Sequence, residues 1–349
     1  MATPTFSKFI RPEETDKGRI SDRDLDIIEA VLRYRFSPTS ELIRLVGGNE
    51  DVTQRRLRKL WEWQLINRFA FPGIRAHSEF HYYLDNRQAL ALLMDRGRLA
   101  DIHPTMMEEL RNNREKNYAD AAVRGQHLQL GFLKHSLQIS RMHFLLEMAA
   151  RLQSSDFQLH DWRQGAELRG HKVEVPAMKL HRQAGNAYLW EEQQGMERLP
   201  VEPDALFSLR LRENRITHFC YEADRGTMNA TDMLQNFRAY VHFIKRQQKH
   251  KESFGVHPIR AVLIETTDET RAKRLMELVH HPLVCGPGGR AGLFWFTISP
   301  LFTGHWQGSD VATYLLRPDV ILDPVWALPD RTLHRLSDEE NHAVSAAQG

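Results

Sequence analysis

Glu202-Pro203-Asp204-Ala205-Leu206-Phe207-Ser208-Leu209-Arg210-Leu211, a polar corner at Arg212 to Arg215, and Ile216-Thr217-His218-Phe219-Cys220-Tyr221-Glu222-Ala223-Asp224-Arg225-Gly226-Thr227 form the stretch on which the reading of this chain turns. Both arms are short, apolar and bounded by charged or turn-forming residues, so they read as strands from Ala205 to Leu211 and from Ile216 to Glu222. Side chains two apart on a strand share a face, which puts Glu222 and Asp224 together. A hairpin through Arg212 to Arg215 brings Asp204 back beside them, because the ten residues from Asp204 to Asn214 approximate the eight from Asn214 to Glu222. Three carboxylates so close raise one another's pKa and are costly to desolvate unless a cation neutralises them. An oxygen-rich cluster of this kind suits Mg2+ or Mn2+, which keep several waters, hold a phosphate oxygen and activate a water nucleophile.

Around this pair the pattern alternates. A helix is expected over 125–153, with Leu130, Leu133, Leu137, Met142, Phe144, Leu145 and Met148 apolar, followed by a strand from Phe157 to Trp162. Beyond the pair come a helix from about Thr231 to Gln248, a strand from Arg260 to Glu265, a helix from Asp268 to His280 and a strand from Leu293 to Ile298. Helix, three strands, helix, strand, helix, strand is the order of an α/β domain with a mixed sheet. Residues 165–200 carry Gly170, Pro176, Gly185, Asn186 and Gly195 and read as an insertion between the first two strands.

Upstream, residues 1–19 show no period and read as a flexible arm. Ser21 and Asp24 form a capping box before Leu25, Ile28, Val31 and Leu32 recur at helical spacing. Ser37-Pro38 breaks that helix, a short second one carries Leu42, Ile43, Leu45 and Val46, and Gly47-Gly48 ends it. A third helix, from about Asp51 to Gln64, has Val52, Leu57, Leu60 and Trp61 apolar and Arg55, Arg56, Arg58 and Lys59 on its other faces. Strand-like runs from Leu65 to Phe71 and Glu79 to Leu84 flank a Pro72 to Ser78 loop. Three helices followed by a hairpin is the order of a winged helix-turn-helix, in which the third helix enters the major groove and the loop, carrying Arg75, is the wing. The four cations would contact phosphates, and Thr53 and Gln54 would reach base edges. The same domain type also holds protein partners or dimerises. The expected organisation is an arm (1–19), a winged helix-turn-helix (20–87), a helical connector (88–124), an α/β domain (125–308) and a polar tail (309–349) with one strand-like run, Asp319 to Leu322. The fold class is α/β, α+β overall.

Composition bounds the alternatives. Of 349 residues, 42% are hydrophobic and 26% charged, as in a globular protein rather than a disordered or fibrous one. No apolar run approaches the roughly 20 residues of a transmembrane helix, no secretory signal opens the chain, and two cysteines, Cys220 and Cys285, build no disulfide framework. A cytoplasmic protein without membrane contact is expected. Forty-seven basic residues against 45 acidic ones leave a net charge of +2, so any attraction to nucleic acid must come from local clusters.

Asp204 after Pro203, followed by Glu222-Ala223-Asp224 in this frame, resembles the PD-(D/E)XK phosphodiesterase superfamily of restriction-type nucleases. The wider arrangement resembles the replication-relaxation family of plasmids and integrative elements: an N-terminal winged helix, His135 in the following helix, Trp162, Glu202-Pro203-Asp204, Glu222-Ala223-Asp224-Arg225-Gly226-Thr227 and a helix ending near Tyr240. The resemblance covers roughly residues 20 to 300. It implies a restriction-endonuclease-like domain and a DNA-binding protein linked to plasmid replication and relaxation of supercoiled DNA. Any cleavage would be metal-dependent hydrolysis, with Asp204 and Glu222 as Mg2+ or Mn2+ ligands and Asp224 completing the catalytic set. The expected partner is double-stranded DNA; a homodimer and replication or conjugation proteins of the same element are further partners compatible with it. The competing reading is a transcription regulator whose second domain only dimerises or binds a partner.

One departure from the superfamily matters. A Lys stands in active members where Asp224 stands here; it orients the attacking water and stabilises developing charge, and Asp has no donor. The cation would come from the next helix, through Arg238 or less directly Lys245, or from Arg225, or hydrolysis is lost; the balance falls to a non-cleaving site. Local geometry alone accounts for Arg225 as an ion pair with Asp224, and for Gly226 and Thr227 as a turn and helix cap. His135 reads first as a buried helix histidine, and Glu167 as a salt-bridge residue that could add a ligand. Cys285-Gly286-Pro287-Gly288-Gly289-Arg290 lacks the Gly-Lys-Ser/Thr ending of a phosphate loop, Pro318-Asp319 has no matching acidic strand, and His218, His280 and His281 lack zinc-site spacing.

Overall fold

The computed structural model describes residues 11–12, 18–70, 79–84, 87–99, 127–153, 157–182, 188–286 and 291–338. The chain divides into two compact units, residues 1–144 with 165–167, and residues 145–164 with 168–349.

In the first unit, helix α1 (Asp22–Tyr34) begins at Ser21, whose N–H donates to Asp24 Oδ2 at 2.7 Å and closes the expected capping box. Leu25, Ile28, Val31 and Leu32, the stripe read from the sequence, are all buried. Each contributes roughly 1.5–3 kcal/mol of burial. The two-residue strand β1 (Ser37–Pro38) leads into α2 (Thr39–Val46). That helix stops at Gly47 and Gly48, with φ of 69° and 73°, a region open to glycine and strained for L side chains. A Cβ at Gly48 would also stand 2.8 Å from the Arg23 guanidinium, which spans the corner by donating to the Gly47 carbonyl. Helix α3 (Glu50–Glu62) is capped by Asn49, whose side chain accepts from the Val52 N–H at 3.0 Å.

Strands β2 (Asn67–Phe69) and β3 (His81–Tyr83) pair antiparallel, and β3 also pairs with β1, giving the order β1-β3-β2. Both hairpin strands are shorter than the runs read from the sequence, and β1 is too short to carry a period. The Pro72 to Ser78 loop with Arg75 lies outside the described residues. So does most of the expected connector; its described part is α4 (Arg87–Asp95) with the turn to Leu99. Of the expected flexible arm, Arg11 is held, donating to the Ile66 carbonyl and Asn67 Oδ1, each at 3.0 Å. The long helix α5 (His127–Leu152) contributes Leu133 to a cluster with Phe36, Phe69 and Tyr83, and its Ser140 hydroxyl donates to the Phe36 carbonyl at 2.7 Å.

The second unit is built on a seven-stranded sheet. Its strands are β4 (Phe157–Gln164), β7 (Ala205–Leu211), β8 (Ile216–Ala223), β9 (Ile259–Thr266), β10 (Phe294–Ile298), β11 (Trp326–Ala327) and β12 (Leu333–His334), in the order β12-β11-β10-β9-β8-β7-β4. The β8-β9 and β9-β10 pairs are parallel and the others antiparallel. The parallel pairs need crossovers, supplied by α6 (Ala230–Tyr240) with its π-helical extension Val241–Arg246 and α7 (His250–Phe254), and by α8 (Glu269–Val279) with α9 (Pro282–Cys285). The expected mixed α/β sheet is therefore present. All eight residues of β9 are buried, as a strand covered on both faces requires.

One face packs Leu206, Cys220, Val262, Ile264, Phe294 and Phe296 with Leu234 and Phe237 of α6 and Leu275 of α8. Trp162 of β4, Phe207 of β7, Phe219 of β8 and Trp295 of β10 form a series of ring contacts with centroids 5.8, 5.3 and 6.1 Å apart, the last spanning β9.

One expectation is sharpened here and two are corrected. The insertion expected at 165–200 carries a long antiparallel strand pair, β5 (Lys172–Arg182) with β6 (Tyr188–Pro200), which the scattered glycines concealed; Gly170 and Gly195 take positive φ. Pro318–Leu322 is a 3-10 turn rather than a strand. Instead of a separate polar tail, β11 and β12 extend the sheet, followed by a buried Leu336 whose carbonyl accepts from Arg260 at 3.1 Å. Short helices α10 (Pro300–Thr303) and α11 (Thr313–Leu316) lie before them. No helix among the described residues is long and apolar enough to cross a membrane.

Candidate functional site

The β7-β8 register pairs Ala205 with Tyr221 and Leu206 with Cys220, so Asp204, one residue before β7, arrives beside Glu222. Its Oδ2 accepts from the Ala223 N–H at 2.8 Å. Glu222 is half-buried and its Oε1 accepts from the Tyr240 hydroxyl at the end of α6. Burial, and then the charge of Asp204, hold the Glu222 carboxyl well above the usual carboxylate range; the Tyr240 hydrogen bond opposes this, and Asp224 adds to the rise. Burial and the Glu222 charge likewise push the Tyr240 hydroxyl up.

Asp224 is differently employed. Its carboxylate accepts from the Gly226 N–H (3.0 Å), from Thr266 Oγ1 (2.6 Å) and from Arg271 through Nε (3.0 Å) and Nη2 (3.2 Å). Arg271 Nη2 also donates to the Met228 carbonyl at 3.0 Å. The group ties the end of β8 to β9 and α8, and four accepted hydrogen bonds occupy a carboxylate's ordinary capacity. The three carboxylates do meet at this end of the sheet, near enough for Asp204 and Asp224 both to raise Glu222, but Asp224 is already engaged, and among the described residues no group of three or more His, Cys, Asp or Glu is disposed to hold a metal. Asp204 and Glu222 remain as an adjacent acidic pair, a donor set that a hard divalent cation with its own waters can use.

The cation expected beside Asp224 is Arg271, not Arg225, which forms no ion pair among the described residues. Gly226 makes the expected turn, with φ of 70°, but α6 is capped by Asn229 accepting from the Asp232 N–H (2.9 Å) rather than by Thr227. Arg238 is buried and spent on the β5-β6 hairpin, donating to Glu197 Oε1 at 3.0 Å and to the Pro176 carbonyl; this corrects its expected direction toward the carboxylates. Lys245 is exposed. His135 is half-buried on α5 in the first unit, and Glu167 lies on a 3-10 turn, Gly165–Leu168.

Glu222 offers a pH test. A carboxyl whose native pKa lies above its ordinary value of 4.5 favours its protonated form in the fold, so stability falls as pH rises from that value toward the native one. Glu222→Gln removes the dependence. The variant should melt above the parent at pH 7 to 8, with the gap closing toward pH 4; a variant that melts lower at every pH would contradict the raised pKa.

The face of α3 resolves into two groups. Gln54, Arg55, Arg58 and Lys59 are exposed, and Asp51, Gln54, Arg55 and Arg58 line an open depression. Among the described residues Arg58 pairs with Glu62, at 2.8 Å with 61% of its own side chain exposed, an interaction of little net strength. Thr53 and Arg56 point inward. Thr53 is 0% exposed, its hydroxyl donating to the Asn49 carbonyl at 3.1 Å and accepting from Arg23. Arg56 grips the fully buried Asp24 with Nε and Nη2 and lies 5.3 Å over the Trp63 ring. Neither the base contact expected of Thr53 nor the phosphate contact expected of Arg56 is open to it.

The family model described as replication-relaxation matches residues 30–258. No curated protein and no solved structure matches the chain.

Proposed function

The chain belongs to the replication-relaxation family, and from that premise we propose that it is a DNA-binding protein of a plasmid or other mobile element, acting in replication and relaxation of its DNA. In this reading the first unit is a winged helix that lays α3 in the major groove, with Gln54 offered to a base edge and Arg55, Arg58 and Lys59 to flanking phosphates. The observation that carries it is the outward face of α3, where three cations stand exposed while the fourth, Arg56, is committed inside.

The second unit is read as a nuclease-like module that grips DNA without cutting it. Asp204 and Glu222 would hold Mg2+ or Mn2+, which supplies charge neutralisation for a phosphate and, in active relatives of the superfamily, an activated water. The hydrogen bonds from the Ala223 N–H to Asp204 and from Tyr240 to Glu222, which fix the two carboxyl groups, support this assignment. Where an active site would present a lysine, Asp224 is bound to Arg271, whose Nε and Nη2 are both engaged.

Two measurements test the reading. Replacing Arg55, Arg58 and Lys59 together by Gln in the full chain should flatten the dependence of log K on log salt by about 2.7, at about 0.9 per phosphate contact; an unchanged slope would remove the docking assignment. Supercoiled plasmid incubated with the protein and Mg2+ or Mn2+ should stay intact. Nicking that disappears in Asp204→Ala would instead establish a working nuclease.

A further inference from the structure

Among the described residues of the second unit, one stretch of closely spaced cations carries no counter-charge. Several other arginines of the unit are matched with carboxylates, as in Arg163-Asp161, Arg198-Glu174, Arg238-Glu197 and Arg317-Asp323. Residues 245–251 (Lys-Arg-Gln-Gln-Lys-His-Lys) hold four Lys or Arg and no acid. Lys245, Arg246 and Lys251 are exposed and Lys249 half-buried, and none of the four forms an ion pair among the described residues. Glu252 follows in sequence and pairs with none of them.

The turn is also built, not loose. It closes the π-helical extension of α6, with the Gln247 N–H donating to the His242 carbonyl at 2.8 Å and the Gln247 side chain donating to the Glu174 carbonyl of β5 at 2.6 Å. Lys249 then accepts through its carbonyl from the Ser253 N–H at 2.9 Å as α7 begins. Arg246 Nη1 lies 2.8 Å from His242 Nε2. The field is positive at both ends of the turn: burial and then Arg246 and Arg238 hold His242 down at about 4, and burial, with Lys251 and Lys245 contributing, lowers His250. A fixed group of cations lacking counter-charge attracts a polyanion, and its spread along a turn suits successive phosphates better than one small anion.

We propose that the Lys245 to Lys251 turn is a second, sequence-independent contact for the phosphate backbone of duplex DNA, carried by the second unit. It rests on the reading of the chain as a DNA-binding protein and adds a contact that the α3 face does not provide. The test replaces Lys245, Lys249 and Lys251 together by Gln in the full chain and leaves Arg246 with its histidine. Binding is measured against salt on two unrelated duplexes and on phosphatidylserine vesicles, with the thermal melt as a check on folding.

The expected result is a slope lower by about 2 to 3, with the same loss on both duplexes and an unchanged melt. A turn variant that binds like the parent, while the Arg55, Arg58 and Lys59 variant loses its slope, overturns this contact and leaves the first unit's docking intact. If neither variant changes the slope, both fall. A loss confined to vesicles, with duplex binding intact, overturns it in favour of a membrane-surface patch.

Discussion

Arg56→Ala should cost the first unit about 3–5 kcal/mol, the usual result of removing one partner from a buried ion pair, whereas Arg55→Ala and Arg58→Ala on the same helix should each cost less than about 1 kcal/mol. Arg56 is the bidentate partner of Asp24, whose side chain is 0% exposed. Without the guanidinium, Asp24 keeps only the Ser21 backbone and hydroxyl donors, each at 2.7 Å. Burial pushes the Asp24 carboxyl up, but the hydrogen bonds from Arg56 and Ser21 outweigh it and hold the group below its ordinary 3.8. Its contribution is therefore present at neutral pH and lost as pH falls through and below that value; Arg56→Ala should erase this acid dependence along with the stability. Thermal or urea melts of the three single variants decide the matter. Equal, small losses at all three positions would return Arg56 to the solvent-facing set and to the phosphates.

That contrast was latent in the sequence. The apolar positions Leu57 and Leu60 define the inward side of α3, and residues four earlier on a helix lie over the same side. Thr53 and Arg56 occupy those places, and Gln54, Arg55, Arg58 and Lys59 the opposite ones. Composition marks the helix as basic; periodicity sorts its cations into one that braces and three that remain available. What no local pattern supplies is the partner, because Asp24 lies 32 residues away and was already explained by the capping box it also forms.

The same division runs through the second unit. Strands β7, β8, β9 and β10 follow from runs of apolar residues bounded by turns, and the meeting of Asp204 with Glu222 follows from counting across the corner, since strand pairing fixes register residue by residue. The β5-β6 hairpin did not, because its two long arms are largely solvent-facing and carry charge at many positions. Nor did β11 and β12, whose two residues each gain their pairing from the edge of a sheet built by distant sequence. The fate of Asp224 was likewise invisible: its partners Thr266 and Arg271 come from the next strand and the following helix, 42 and 47 residues on. A carboxylate on the expected face is legible in a sequence; whether its lone pairs are already spent is a tertiary fact.

Arg271→Ala should therefore be the most damaging single change at the acidic end of the sheet, costing about 3–5 kcal/mol. Asp224 retains 4% of its side-chain exposure and Arg271 17%, so neither can recover water when its partner is removed. Truncating Arg271 also frees the Met228 carbonyl, loosening the loop that leads to α6. Arg271→Lys should restore only part of the loss, because an ammonium cannot reproduce the two parallel hydrogen bonds of a guanidinium. A double-mutant cycle with Asp224→Ala isolates the pair: residues in direct ionic contact couple by roughly 0.5–3 kcal/mol, and a buried bidentate pair belongs near the top of that range. Divalent-ion stabilisation of the fold, referred to each variant's own ion-free melt, should be nearly unaffected in Arg271→Lys, since Asp204 and Glu222 are the residues assigned to the ion. A coupling near zero, or ion-dependent stabilisation that vanishes with Arg271→Lys, would show that Asp224 and its arginine belong to the binding centre itself and not to the brace beside it.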